Sequence, residues 1–118
     1  MCKCCIRLLF VCLLIIPFSA CLAQEDADLW NQACAKIDAG DLAGAAVLFN
    51  QLLTDYPSSS KAPGAQLKLA YIKMKTSPDS VAEQLDAFSQ VRTKYASSPE
   101  AGVALVRIGY LHSRTDTG

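Results

Sequence analysis

The side chains able to do chemistry are few and scattered. His112 is the only histidine, so a histidine-based metal cluster cannot be assembled, and a Cys–His nucleophile pair could draw only on Cys34. Ser58, Ser59 and Ser60 are polar loop residues that lack the Gly-x-Ser-x-Gly context of an exposed nucleophile, and no glycine-rich phosphate loop is present. The carboxylates are dispersed, with no pair set up for general acid–base work. His112 falls near the end of the last expected helix, where an imidazole suits the local dipole. The chain is therefore expected to be no enzyme, to use no cofactor and to hold no metal. An accessory or fragment of a hydrolase would need a catalytic segment that the sequence does not contain. Binding is the chemistry that remains.

The elements that would position a binding surface are helices. Between Leu29 and Pro57, Gly40 and Asp41 divide two amphipathic stretches, the glycine as a helix end and the aspartate as the cap of the next helix. Leu42, Ala45, Ala46, Phe49, Leu52, Leu53 and Tyr56 then recur at helical spacing, and Pro57 ends the run. The spacing predicts helices over about 28–39, 42–56, 62–75, 81–95 and 98–114. Pro63 and Pro99 fall in first turns, where a missing N–H costs nothing. Ser80 and Glu83 have the spacing of a capping box, and Phe49 and Phe88 are expected in the core.

A hairpin this short cannot bury its apolar face alone, and the pattern recurs. Tyr56 to Ala62 is echoed by Tyr95 to Ala101, Phe49 by Phe88, and Leu69-Ala70-Tyr71-Ile72 by Ile108-Gly109-Tyr110-Leu111, each 39 residues apart. Ala33 and Ala70 are only 37 apart, because the turn Ala39-Gly40-Asp41 is replaced by the longer Thr76-Ser77-Pro78-Asp79-Ser80. These residues resemble the tetratricopeptide repeat: Ala33, Gly40-Asp41, Ala45, Phe49 and Pro57 match in one unit, and Ala70, Phe88 and Tyr95 in the next. Gln84 stands where alanine is usual and Ala96 where proline is. Tyr-Pro-x-Ser followed by Lys-Ala-Pro is most similar to the periplasmic branch, which includes the Tol–Pal coordinating protein and the outer-membrane assembly lipoproteins. The resemblance implies an all-α fold, tetratricopeptide-like hairpins stacked as an α-solenoid of about two and a half repeats over residues 29–114.

Residues 1–23 read as an export signal. Lys3 and Arg7 precede the apolar stretch from Leu8 to Ile16, and Pro17 breaks it before a small-residue segment. The stretch is well short of the ~20 residues that span a bilayer. Two cleavage sites compete. Phe18-Ser19-Ala20-Cys21 resembles a bacterial lipobox, with Phe18 where an aliphatic residue is expected; Cys21 would then carry a lipid, the chain's one link to a membrane. Ordinary cleavage after Ala23 is the other reading. Periplasm or outer-membrane anchorage follows. Residues 24–28 read as a solvated acidic lead-in that caps the first helix, and 115–118 as a frayed tail.

Without Lys3 and Arg7 the 11 basic side chains fall to 9, against 11 acidic ones, a balance that argues against nucleic acid. Only Cys34 certainly belongs to the mature part, so no internal disulfide staples the fold, and its place between alanines suits small-residue packing.

By the resemblance, the first helices of the units line a concave surface. Registering them on Ala33, Ala70 and Gly109 brings Trp30, Leu67 and Val106 to one level, Cys34, Tyr71 and Tyr110 to the next, and Asp38, Lys75 and Arg114 to a third. For Trp30, Leu67 and Val106, packing between units is an equal reading. Relatives that clamp a terminal carboxylate use a lysine, arginine and asparagine set not reproduced here, so the expected partner is a protein or peptide that offers an apolar stripe, and the resemblance implies a scaffold role in bacterial cell-envelope assembly or maintenance. The alternative is a structural module with no separate ligand. The last helix carries Val103, Ala104, Leu105, Val106, Ile108, Tyr110 and Leu111 on nearly every side, which implies a truncated or incomplete array that self-associates, a partner that supplies the missing helix, or two copies that cover each other.

Overall fold

The computed structural model describes residues 18–116, with side chains from residue 25 onward. All regular structure among the described residues is helical: α1 (Phe18–Asp38), α2 (Leu42–Asp55), α3 (Ala62–Thr76), α4 (Val81–Lys94) and α5 (Pro99–Asp116). Each helix packs on the next, and α3 also touches α5. None is long and apolar enough to cross a membrane. Residues 1–17, which carry most of the expected export signal, lie outside the described residues, as does the side chain of Cys21.

The first turn forms as its residues dictate. Gly40 adopts φ +82°, its N–H donates to the Ile37 carbonyl and that of Asp41 to the Lys36 carbonyl, which is the double closure of a left-handed helix end. The Asp41 carboxylate then accepts from the Gly44 N–H at 2.9 Å. That bond, aided by Lys36 at 3.5 Å, holds the Asp41 carboxyl below its usual range. A Cβ at Gly44 would sit 2.3 Å from Asp41 Oδ2, so a side chain there would push the capping carboxylate from this position.

The second turn is built differently. Ser80 is the cap residue of α4, but its side chain makes no capping bond, and Glu83 pairs with Lys73 at 3.3 Å instead of reaching back. The expected capping box is therefore not formed. The turn is held instead by Gln84, fully buried, whose amide donates to the carbonyls of Ser77 (2.7 Å) and Pro78 (3.1 Å). The longer turn and the glutamine in an alanine position are one device: added backbone carbonyls, and an amide that satisfies them.

The 39-residue recurrence is physical. Buried positions repeat at that interval: Ala45 and Gln84, Phe49 and Phe88, Leu52 and Val91, Ala62 and Ala101, Ala65 and Ala104, Ile72 and Leu111. So do the exits of α2 and α4: Ser59 N–H to Tyr56 carbonyl and Ser98 N–H to Tyr95 carbonyl, both 3.0 Å. Two core clusters result, one around Phe49 and Leu52, the other around Phe88, Val91 and Leu111. Helix α3 serves both, through Ala65 and Ile72 to the first and Ala70 to the second. A helix covered on two sides cannot be strongly amphipathic, which explains its apolar residues on opposing faces.

The acidic lead-in is not a tether. Helix α1 runs unbroken through residues 24–28, so these carboxylates cap no helix start. Glu25 and Asp26 are half-buried, and they accept hydrogen bonds from the hydroxyls of Tyr56 and Ser59 beyond the end of α2. At the other end, Thr115 and Asp116 extend α5 past the expected boundary.

Candidate functional site

Two depressions flank α3. The smaller, about 300 Å³, lies toward the end of α1 and is lined by Ile37, Leu42, Lys68, Tyr71, Ile72 and Lys75. Its floor is apolar, and its rim carries Lys68 and Lys75, both exposed and without an ion pair among the described residues. Tyr71 is the hinge of the site. Its ring meets Phe88 edge-on, with centroids 5.4 Å apart and planes at 86°. The Arg107 guanidinium lies 5.3 Å from its ring centroid, and Arg107 Nε donates to the hydroxyl at 3.2 Å. Aromatic packing of this kind fixes the ring, and the arginine adds a cation over its face.

The expected concave-face residues divide into three groups. Tyr71 and Lys75 come together in this depression. Trp30, Cys34 and Leu67 are half-buried and pack against the cores. Trp30 meets Phe49 edge-on at 5.5 Å, lies under the Lys61 ammonium at 5.6 Å and occupies the space above Gly64, where a Cβ would come within 2.9 Å of its ring. Asp38, Val106, Tyr110 and Arg114 are exposed, Val106 at 74%.

Lys68 and Arg107 were not among the sequence candidates. Lys68 could have been found, since it precedes Tyr71 by one turn. Arg107 could not, because its contact joins α3 to α5 across 36 residues. The second depression, about 760 Å³, was also not foreseen. It lies between α2 and α4 over α3, its walls built of Ala43, Ala46, Ala82 and Ala87, with Gln66 and Lys73 from α3.

Among the described residues no three of His, Cys, Asp and Glu come together to hold a metal ion. Cys34 is a free thiol. No protein-family model and no curated protein matches the sequence.

Proposed function

We propose that this chain is a non-catalytic, exported scaffold that holds a protein or peptide partner against the face formed by α1, α3 and α5. In this reading the helices stack as tetratricopeptide-like hairpins, about two and a half repeats. The export signal delivers the chain to a bacterial envelope, where it serves assembly or maintenance, with Cys21 as the lipid attachment point if cleavage falls before it. The observation that carries the reading is the depression around Tyr71: an apolar floor, a fixed aromatic ring and the uncompensated cations Lys68 and Lys75. Such a site suits an extended or helical peptide that offers an apolar stripe with carboxylates beside it. A purely structural module is the second reading, favoured by the half-buried packing of Trp30 and Leu67.

Selection of a random peptide library on the folded chain tests the proposal. Selected peptides should combine apolar and acidic residues, and the double variant Lys68→Glu/Lys75→Glu, altered only at exposed positions, should bind them about tenfold more weakly or worse. Binders whose affinity ignores that charge reversal, or no saturable binder at all, would remove the groove from consideration.

A further inference from the structure

Among the described residues, four of the five large apolar side chains that are exposed lie on α5: Val103, Leu105, Val106 and Tyr110. Helical geometry gathers Gly102, Val103, Val106, Gly109, Tyr110 and Ser113 into one strip, opposite the buried Ala101, Ala104, Ile108 and Leu111. No charged residue falls on the strip. Arg107 turns away from it to stack on Tyr71.

The rest of the molecule shows what such a strip is built to meet. Leu67 and Tyr71, 39 residues before Val106 and Tyr110, are half-buried, with the Tyr71 ring against Phe88 of α4. In α1, Trp30 is covered in the same way by Phe49 of α2. Both earlier helices thus lay this face under a helix that brings an aromatic ring. Among the described residues α5 has no such cover.

Charge and shape select the occupant. An uncharged strip gives a charged partner nothing to recognise, and it is desolvated most cheaply against another uncharged strip. The chain itself presents one, α5 of a second copy. If two α5 helices cross antiparallel at Val106, residues equidistant from it come level. Gly102 then lies level with the partner's Tyr110, and Val103 with the partner's Gly109, so bulk on one helix falls where the other has none. A Cβ at Gly102 or Gly109 would meet nothing within 4 Å, which leaves that space open to the incoming side chains. A parallel pair would set Tyr110 against Tyr110, leave glycine facing glycine and align the helix dipoles unfavourably.

The geometry points to a two-fold homodimer of this protein, formed by antiparallel packing of α5 on α5 about Val106. The contact is isologous and therefore closes at two copies. It is also small. The strip is roughly 16 Å long at 1.5 Å per residue, so the interface belongs to the low end of specific sizes and the dimer is weak, on the order of 10–100 µM. The inference is independent of the groove around Tyr71.

Sedimentation velocity of the 118-residue chain from about 5 µM to about 1 mM, bracketing that affinity, tests it. The expected result is a monomer–dimer equilibrium that stops at two. Val106→Lys, at an exposed position and with unchanged circular dichroism, should stay monomeric throughout. Gly102→Leu should weaken association about tenfold or more by overfilling the space opposite Tyr110, and Gly102→Leu/Tyr110→Ala should regain it. A wild type monomeric at 1 mM, growth beyond the dimer, or indifference to Val106→Lys overturns the interface. Loss in Gly102→Leu without recovery in the double variant overturns the antiparallel register.

Discussion

Phe49 and Phe88 occupy equivalent places in the two halves, and truncating each in turn measures how the halves depend on one another. Both rings are fully buried, and each receives an aromatic edge contact from the preceding helix, Trp30 at 5.5 Å and Tyr71 at 5.4 Å. Phe→Ala in a packed core costs about 3–5 kcal/mol from lost transfer energy and the cavity left behind. The lost edge contact, roughly 0.5–1.5 kcal/mol, moves both sites toward the upper end. A domain of this size holds only about 5–15 kcal/mol in total, so either change removes a large share. With a urea slope of about 1.5 kcal/mol per molar, a loss of ~4 kcal/mol lowers the midpoint by about 2.7 M. The assay is equilibrium urea unfolding followed by circular dichroism and by fluorescence of Trp30, the only tryptophan. Because α3 belongs to both cores, Phe88→Ala should lower the Trp30 transition together with the helical one, although Phe88 does not touch Trp30. A loss below ~1 kcal/mol at either site would mean that the ring is not core. Trp30 unfolding that ignores Phe88→Ala would refute the coupling through α3.

Two further outcomes follow from particular bonds. Gln84→Ala should cost about 1–2 kcal/mol by chemical denaturation, two amide bonds at about 1 kcal/mol each plus a small void, less what is regained by removing the buried Oε1 that has no hydrogen-bond partner; replacing residues 76–80 with the Ala-Gly-Asp turn of the first hairpin should abolish most of that cost, and an undiminished cost would separate the glutamine from the turn. Tyr56 is pushed up to about 12, first by its hydrogen bond to Glu25, then by burial and by the nearby carboxylates of Glu25, Asp55 and Asp26. The folded state therefore keeps this proton while the unfolded chain loses it near 10, so the associated stability is intact below pH 10 and is lost as pH rises from about 10 toward 12. The difference in phenolate absorbance between the chain and Tyr56→Phe follows that step, which Glu25→Gln should move down toward 10; a wild-type step already at 10 would show that the bond is absent in solution.

What the sequence made legible is local. Gly40 and Asp41 announce a helix end and a cap through their own conformational and hydrogen-bonding preferences, and both act within five residues of themselves. Phe49 and Phe88 are legible through spacing, since each sits on the apolar face of its own helix. What stayed hidden depends on partners distant in the chain. Glu25 and Asp26 have the composition of a solvated lead-in, and only the return of Tyr56 and Ser59, 31 and 33 residues later, makes them part of a helix with tertiary bonds. Ser80 and Glu83 satisfy the spacing of a capping box, yet Lys73 on the neighbouring helix draws the glutamate away. A weak local preference yields to a neighbour that sequence spacing does not reveal.

The same reasoning explains why register alone could not say which of the expected concave-face residues stay exposed. Trp30, Leu67 and Val106 occupy one level, but their exposure is decided by what comes after each helix. Trp30 and Leu67 are followed by packed neighbours and become half-buried; Val106 has none among the described residues and stands open. One position in successive helices is therefore buried where a neighbour follows and exposed where none does, and the side chain is apolar in both. Lys68 and Lys75 escape this ambiguity. Ammonium groups are seldom buried without a partner, so they remain at the rim whatever stacks beside them. Tyr71 fixes the groove by packing on Phe88, while the lysines face the solvent. Discrimination among partners in the proposed groove should accordingly rest on the lysines, and its shape on the aromatic ring beneath them.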